Sequence, residues 1–354
     1  MSYSKIERLV HSTVFAPTFP NELVERMEAT STGRPWSNVQ MGAPIFISSL
    51  PRAGTSALLN TINALPELCS HNYRDMPMIC APVLWNKLSQ KFKSTGNLKE
   101  RAHSDGLLIN EDSPEAFEEI LWKRFEPQHF RKSSIAILDS ADERTISYLI
   151  EHMKKIIYLR RGSNDLKSLH YLSKNNGNIS RIEALKKAFP KAHFLVPLRE
   201  PLSHSFSMLR QHTNFSEKHT KDKFAKKYMS DLGHYEFGHL HKPIRFPGTE
   251  SRSAEYKLTD INYWISYWIS AYDYLAQIDD LHWICQSALA SNGPKIAAKI
   301  SKLIGLTEHM KSSSQDNVPP LLVGVNQLDP EKVDPILAKE ASDIYHSLLT
   351  RAVQ

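Results

Sequence analysis

The residues with the clearest chemical potential are the cationic and hydroxyl side chains of a short loop near position 50. The segment from Pro44 to Leu59 reads Pro-Ile-Phe-Ile-Ser-Ser-Leu-Pro-Arg-Ala-Gly-Thr-Ser-Ala-Leu-Leu. An apolar run leads into a tight turn, and hydroxyl residues then open a helix. Such a loop aims backbone N–H groups and the positive end of a helix dipole at one point, which suits a phosphate. The predicted anion-binding residues of this loop are Arg52, Ala53, Gly54, Thr55 and Ser56.

The loop lacks the lysine that nucleotide-hydrolysing enzymes carry. A Walker A loop has a lysine directly after its last glycine, whereas Thr55 follows Gly54 here. The cation of this loop, Arg52, lies two residues before that glycine. The sequence therefore predicts a phosphate site that is not built for hydrolysis of Mg-ATP. A small-molecule kinase stays an alternative, in which Asp139, after the apolar run 135–138, would be the acidic residue on a strand.

A second set of residues indicates a site for another phosphate. The apolar run from His193 to Leu198 predicts a buried strand that ends at Arg199, and Pro201 suits the first turn of a new helix. Ligands of open parallel sheets bind at the carboxyl ends of the strands. Ser207 lies nearly two helical turns beyond Pro201. An arginine fork and a hydroxyl group would thus meet at this edge and could hold a phosphate.

In this order, the motifs resemble those of the sulfotransferases that use 3′-phosphoadenylyl sulfate (PAPS). The run Leu-Pro-Arg-Ala-Gly-Thr-Ser resembles the family's 5′-phosphosulfate loop. Arg199-Glu-Pro with Ser207 resembles its 3′-phosphate motif, and Phe189-Pro-Lys-Ala matches a helix ending found upstream of that motif. The likeness extends over residues 44–208. It implies a transferase that takes PAPS as its sulfuryl donor and needs no metal.

The resemblance also implies catalytic residues. Lys174 corresponds to the family's lysine that stabilises the sulfuryl group or the departing phosphate, but Asn176 replaces the histidine that cytosolic members carry two residues later. An acceptor hydroxyl has to lose its proton to a base. Other members place a carboxylate shortly after the helix that follows the loop, so we expect Asp75 to be the base, with His71 as the other candidate. Asp75 could equally cap the helix that follows it.

Other titratable residues stay open as alternatives. Further candidate bases lie in residues 101–106 and at Glu115, Glu118, Glu119 and His212, of which Glu118 and Glu119 are expected to be solvated or paired helix charges. The histidines of residues 234–241 have no regular scaffold to fix their spacing, so no metal site is predicted. The missing histidine at position 176 also leaves a non-catalytic module that binds a nucleotide or an anionic glycan as an alternative to an enzyme.

Composition restricts the class of protein. The chain has 354 residues, 41% of them hydrophobic, and a net charge of +6, which suits one large domain with an anionic ligand. Without a basic helix, an RNA-binding aromatic motif or zinc-finger spacing, nucleic acid is not an expected partner. No signal peptide, disulfide framework or apolar run of about 18 residues is evident. We expect a cytoplasmic, bacterial-type enzyme with a small-molecule or glycan acceptor, in which carbohydrate or glycolipid is favoured; a homo-oligomer stays open.

The expected fold is α/β, with a P-loop-like three-layer αβα architecture, a central and mostly parallel sheet, and helical insertions. A single domain spans residues 1–354, with a cofactor-binding core at 44–210 and a helical insertion at about 70–130. Residues 214–257, polar and rich in histidine and lysine, are predicted to be a mobile flap over the substrate, and 259–354 a helical C-terminal part. The predicted strands are 45–47, 135–139, 193–198 and 281–285, and the predicted helices are 21–28, 76–88, 113–125, 143–159, 180–189, 260–278, 294–306 and 330–349.

Overall fold

A parallel sheet organises the protein. The computed structural model describes residues 5–15, 20–89, 99–100, 108–109, 113–115, 117–161, 169–306 and 332–354. Within them, the central sheet has five strands in the order β2-β5-β1-β6-β7, and every neighbouring pair is parallel. A separate antiparallel pair, β3 with β4, lies in the insertion. The strands are β1 (Ile45–Ile47), β2 (Leu68–Cys69), β3 (Lys99–Glu100), β4 (Leu108–Ile109), β5 (His170–Lys174), β6 (His193–Leu198) and β7 (Leu281–Cys285).

Helices cover both faces of the sheet. The α-helices of the described residues are α1 (Lys5–Val14), α2 (Asn21–Thr32), α3 (Thr55–Ile62), α4 (Pro82–Ser89), α5 (Glu119–Phe125), α6 (Glu143–Arg160), α7 (Ile182–Ala188), α8 (Pro201–Lys221), α9 (Lys223–Leu232), α10 (Thr249–Ser253), α11 (Ile261–Ala276), α12 (Gln286–Ser291), α13 (Gly293–Leu303) and α14 (Pro335–Leu349). Single 3₁₀ turns lie at Tyr73–Asp75, Pro127–His129, Asn176–Ser180 and Gly238–Leu240.

The three layers follow from the alternation of side chains along the strands. On β1, Ile45 and Ile47 belong to a core that they share with α3 and α13, whereas Phe46 belongs to the core on the opposite face. The second core contains the helices α6, α7, α8, α11 and α14. Because successive side chains of a strand point to opposite faces, one short apolar strand contributes side chains to the cores on both faces of the sheet. The predicted αβα fold with a parallel sheet is confirmed.

Local signals fix the helices that leave the central strands. Helix α3 begins after Gly54, whose φ of +101° is open to glycine and costly for other residues. Helix α8 has Pro201 as its first residue, and the Glu200 carboxylate accepts hydrogen bonds from the N–H groups of Leu202 and Ser203. Glu200 is therefore an N-cap. The predicted strands 45–47, 193–198 and 281–285, together with the helices that follow the first two, are confirmed.

The apolar run at residues 135–139 does not form a strand, so that prediction is wrong. Ile135 makes isolated bridges to Phe130 and Ile244, and the N–H of Leu138 donates instead to the carbonyl of Ser180. These partners lie on different segments and build no ladder. The place beside β1 is taken by β5, which the sequence did not reveal because His170, Ser173 and Lys174 interrupt its apolar pattern.

The insertion holds shorter helices than predicted. The helix predicted at 76–88 begins only at Pro82, and the one predicted at 113–125 begins only at Glu119. Ser113 and Glu115 instead pair their backbones with the segment at residues 71–73. That pairing consumes the N–H and carbonyl groups that a helix would need. The helix predicted at 330–349 is described from Pro335 onward.

The segment predicted to be a flap contains regular structure. Helix α8 continues to Lys221, and α9 and α10 follow within residues 214–257. Movement of this segment over a substrate stays a prediction. Trp264 and Trp268 of α11 are fully buried, as their helical spacing indicated. Within the described residues, none of the helices has the length and apolar character needed to cross a membrane.

Candidate active site

The loop between β1 and α3 has the backbone of an anion-binding turn. Arg52 has a φ of +73° and Gly54 a φ of +101°, so two residues of this short loop are left-handed. A non-glycine residue in this region stores strain, and such residues concentrate at functional sites. Helix α3 starts directly afterwards and presents its first N–H groups at the carboxyl end of β1.

Arg52 and Arg199 meet at this edge of the sheet. Nη1 of Arg199 donates to the carbonyl oxygen of Arg52 over 3.0 Å, and its Nη2 donates to Oγ of Ser203 over 2.9 Å. Nε of Arg52 donates to Oγ of Ser207 over 3.3 Å. The structure thus brings the loop, the end of β6 and the first turns of α8 together. Ser203 is an addition to the predicted set, and its i+4 spacing from both Arg199 and Ser207 is the signal that could have revealed it.

The two arginines place like charges side by side. Burial, and then the charge of Arg52, lowers the pKa of Arg199 below its ordinary value, and Arg210 acts in the same direction. Arginine stays protonated despite such a shift, so the folded protein bears the cost of burying this charge and, as a smaller part, its repulsion by Arg52. An anion between them removes that cost. The electrostatics therefore favour a phosphate or sulfate ligand at this point.

His204 hydrogen-bonds to the backbone of the loop between β1 and α3. This residue was not among those predicted from the sequence. Its Nδ1 accepts a hydrogen bond from Nε1 of Trp268 (3.2 Å), so Nε2 carries the proton and donates to the carbonyl oxygen of Pro51 (2.9 Å). Burial, and then the charge of Arg199, lowers the pKa of His204 to about 3. The ring therefore stays neutral and adds no charge beneath the anion site. It fixes Pro51, one residue before Arg52.

Lys174 lies at the carboxyl end of β5, beside Ile47 in the register of the sheet. Its Nζ donates to Oε1 of Glu115 over 3.1 Å, and Oε2 of the same carboxylate accepts the hydroxyl of Tyr73 over 2.7 Å. The next turn reaches the anion loop, because Oγ1 of Thr55 donates to Oδ1 of Asn176 (3.1 Å). Lys174 and the loop of residues 52–56 therefore share one edge of the sheet, and the catalytic role of Lys174 stays a prediction.

A buried ion pair supports the turn after Lys174. Nδ2 of Asn175 donates to Oε2 of Glu119 over 2.7 Å, and the same carboxylate binds the guanidinium of Arg181 at very short range. Arg181 is 0% exposed and lies over the ring of Trp122. The pairing predicts that Glu119 is a structural carboxylate. It also fixes the backbone from which Lys174 projects.

Asp75 and His71 do not have the surroundings expected of a catalytic base. Asp75 is 2% exposed and accepts hydrogen bonds from Arg160 (2.6 Å) and from Nδ1 of His71 (2.8 Å), while Nε2 of His71 lies 2.8 Å from His152. Burial opposes ionisation of Asp75, but His71 and Arg160 outweigh it and lower its pKa to about 2. A carboxylate so held accepts protons poorly. Asp75 also accepts the N–H of Asn72, which precedes it, so its contacts are structural. It does not cap the helix that follows it, because that helix begins only at Pro82.

The other candidate bases are distributed differently. Glu115 belongs to the candidate site because its carboxylate accepts a hydrogen bond from Lys174. His212 lies farther along α8, where its Nδ1 accepts the N–H of Gly238 over 3.2 Å. Residues 101–106 lie outside the described residues. His241 binds the carbonyl of Glu236 and the hydroxyl of Tyr263. In the described part of the chain, no three histidine, cysteine or acidic side chains are grouped closely enough to hold a metal ion.

The fold and the candidate site together define an α/β protein with two arginines, hydroxyl groups and a helix N-terminus at the carboxyl edge of its parallel sheet. A family model described as "Sulfotransferase family" matches residues 44–241, more than half of the chain. The chain belongs to the sulfotransferase family. The matched residues include the loop, Lys174, the end of β6 and all of α8. A comparison with curated protein sequences gave no match.

Solved structures of sulfotransferases resemble the chain distantly. Sulfotransferase STF1 from Mycobacterium tuberculosis H37Rv is 13% identical, with 97% of this chain and 86% of that chain covered and a TM-score of 0.48. Sulfotransferase STF9 from Mycobacterium avium is 11% identical, with 96% and 83% covered and a TM-score of 0.49. A sulfotransferase from Alicyclobacillus acidocaldarius is 12% identical, with 89% and 98% covered and a TM-score of 0.38. The family assignment does not depend on these likenesses.

Proposed function

We propose that the protein transfers the sulfuryl group of PAPS to a hydroxyl group of an acceptor. The observation that carries this proposal is the convergence of Arg52 and Arg199, with Ser207, beside the N-terminus of α3. Two cations, a hydroxyl and a row of helix N–H groups suit a donor that carries a phosphate at each end of its ribose. The family membership of the chain supports the same donor.

Two groups of residues fit the two phosphate-bearing ends of such a donor. The loop Arg52–Ser56 and the start of α3 would hold the 5′-phosphosulfate, and Arg199 with Ser207 would hold the 3′-phosphate. When bound, the donor supplies the sulfuryl group. Lys174 would neutralise the negative charge that develops on the bridging oxygen, because its ammonium group lies at the same edge of the sheet. The Glu115 carboxylate pairs with that ammonium group at 3.1 Å.

The acceptor we propose is a carbohydrate or glycolipid hydroxyl. A net charge of +6 supports an anionic partner or surface around the site. The buried indoles of Trp264 and Trp268 provide no stacking surface for a sugar. An alcohol hydroxyl holds its proton firmly at neutral pH, so this class of acceptor requires a base in the site.

The kinase alternative loses the residues on which it depended. Thr55 occupies the lysine position of a Walker A loop, and its hydroxyl is engaged with Asn176. Asp139 is exposed and follows no strand, so it is not placed to hold a magnesium ion at the sheet edge. A magnesium-dependent phosphoryl transfer needs both parts.

The test is calorimetric titration with adenosine 3′,5′-bisphosphate in EDTA, alongside Mg-ATP. We expect metal-independent binding of the bisphosphate that weakens by about 10- to 100-fold in Arg199→Ala, the loss of one charge-assisted pair. Arg144→Ala is the matched control, because Arg144 is an exposed arginine of α6. Its affinity should equal that of the wild type. Binding of Mg-ATP without binding of the bisphosphate would refute the proposal and favour a kinase.

A further inference from the structure

A histidine on the segment after α9 lies within reach of the charge of Lys174, the lysine of the proposed site. His234 follows Gly233, which ends α9 in the left-handed conformation with a φ of +84°. The N–H of His234 donates to the carbonyl of Met229 (2.9 Å), and the carbonyl of Tyr235 accepts the N–H of Lys242 (2.8 Å). Backbone hydrogen bonds on both sides therefore hold the segment that carries the imidazole ring.

Packing connects this segment with the end of β5. A Cβ added to Gly233 would lie 2.6 Å from Cγ of Glu119, so the backbone at position 233 rests directly on that side chain. Glu119 in turn accepts Nδ2 of Asn175, the residue after Lys174. Lys123, one turn further along α5, donates to the carbonyl oxygens of Ser230 and Asp231 at the end of α9. Two contacts of α5 thus hold the backbone next to His234 in a fixed position relative to the end of β5.

The charges around the ring come from three segments. Nδ1 of His234 lies 3.6 Å from Oε2 of Glu236 on its own segment. The Glu115 carboxylate and the Lys174 ammonium act on the ring from the insertion and from β5. Burial opposes protonation, but Glu236 and then Glu115 outweigh it and raise the pKa of His234 above its ordinary value. Glu119 and Lys123 of α5 pack against the neighbouring Gly233.

We propose that His234, oriented by Glu236, is the general base that takes the proton of the acceptor hydroxyl. This inference rests on the proposed function. The acceptor oxygen forms a bond to sulfur while the bond from sulfur to the 5′-phosphate oxygen breaks. The acceptor proton passes to the imidazole ring, and the phosphate oxygen keeps the electron pair of the broken bond. Lys174 balances the charge on that oxygen, so the base and the cation act on the two ends of the transfer.

The contacts of the other titratable groups argue for His234. Both carboxylate oxygens of Glu115 accept hydrogen bonds, one from Lys174 and one from Tyr73, which suits the positioning of the lysine. Asp75 is ion-paired with Arg160 and buried. His234 retains 21% of its side-chain surface exposed, and Glu236 retains 27%. An imidazole next to a carboxylate is the arrangement that raises basicity while leaving the ring able to exchange its proton.

The first arm of the test needs neither donor nor acceptor. In protein labelled with ¹³C-histidine, the ring resonance of His234 is the one that His234→Gln removes. We expect Glu236→Gln to lower the pKa of His234, because it removes the nearest negative charge. His239→Gln, which changes an exposed histidine on the same segment, should leave it unchanged. An unaltered pKa in Glu236→Gln would overturn the inference.

The second arm measures release of adenosine 3′,5′-bisphosphate from PAPS with octyl glucoside and with pentafluorophenol as acceptors. We expect His234→Gln to slow the alcohol reaction by about 100-fold or more and to affect the ionised phenol much less, since a phenolate needs no base. In Glu236→Gln, the acidic limb of the rate profile should move to lower pH. If His234 had a purely structural role, its replacement would slow the alcohol and phenol reactions equally, and Glu236→Gln would leave the acidic limb of the pH–rate profile unchanged.

The outcomes separate the two levels of inference. If His234→Gln binds the bisphosphate with wild-type affinity and transfers to octyl glucoside at the wild-type rate, the base is wrongly assigned and the donor site stands. If the wild-type protein does not bind the bisphosphate, the proposed function itself fails. Glu236→Gln, a milder change, keeps the base assignment testable if His234→Gln does not fold.

Discussion

Replacing Asp75 by asparagine distinguishes a structural carboxylate from a catalytic one. The pKa of Asp75 falls from 3.8 to about 2 in the folded protein, because His71 and Arg160 outweigh the effect of burial. The difference of nearly two units corresponds to about 2.5 kcal/mol that the ionised form contributes to folding at pH 7. Asparagine removes this charge while keeping the shape of the side chain. We therefore expect Asp75→Asn to lower the free energy of unfolding by about 2.5 kcal/mol.

The environment of Arg160 limits the size of this effect. Removing one partner of a fully buried ion pair costs about 3–5 kcal/mol, but Arg160 keeps 18% of its side chain exposed and so retains some water. The effect should also depend on pH in a defined direction. Since the folded pKa is depressed, the stabilisation is complete above the unfolded value of 3.8 and is lost as the pH falls towards 2.

The assay combines urea unfolding with release of adenosine 3′,5′-bisphosphate from PAPS. We expect Asp75→Asn to lose stability while its turnover per folded molecule changes by less than about tenfold. The control is Asp139→Asn, an exposed aspartate whose replacement should change stability by no more than about 0.5 kcal/mol. Wild-type stability combined with a loss of 100-fold or more in turnover would refute this reasoning, because that is the signature of a missing base.

Two further predictions concern stability. Burial lowers the pKa of His129 and of His204 to about 3, and nearby arginines are the smaller cause. Both rings are therefore neutral in the folded protein and become protonated in the unfolded chain below pH 6.5. The free energy of unfolding should be highest above pH 6.5 and fall by about 2 kcal/mol per histidine between pH 6.5 and 5. An equal urea midpoint at both pH values would contradict this. Glu119→Gln should cost about 3 kcal/mol or more, because Arg181 is fully buried and loses its counter-charge. A change below 1 kcal/mol on urea unfolding would show that the pair is not holding the turn after Lys174.

The short-range features of this protein were readable from the chain. The loop at Arg52–Ser56 and the helix after it depend on a turn, a glycine and the first N–H groups of α3, all within a few residues. Arg199 and Ser207 flank a strand end and a helix start with equally local signals. The structure brings these residues together because β1 and β6 are neighbours in the parallel sheet. An apolar run followed by a helix start therefore indicated where the proposed anion site lies.

The elements that need distant partners were not readable. Residues 135–138 are apolar enough for a strand, yet they form only isolated bridges at Ile135 and no continuous ladder with another described segment. In contrast, β5 contains Ser173 and Tyr171, whose hydroxyl groups both donate to the buried carboxylate of Glu118. That carboxylate satisfies polar atoms that would otherwise be costly inside a parallel sheet. Only folding brings it to the strand.

The same distinction holds within the site. The sequence by itself indicated the loop and its arginines, because backbone geometry and residue type are local properties. Lys174 was indicated only by the family resemblance, since the strand that carries it was not predicted. Tertiary structure decided which acid accompanies Lys174, because Glu115 lies 59 residues away, and it gave Asp75 an arginine partner from α6. It also brought His234 within reach of the charges of Lys174 and Glu115, which lie far earlier in the chain. A pKa depends on the charges and burial that the folded chain assembles, so a proton-accepting role is decided only when distant segments meet.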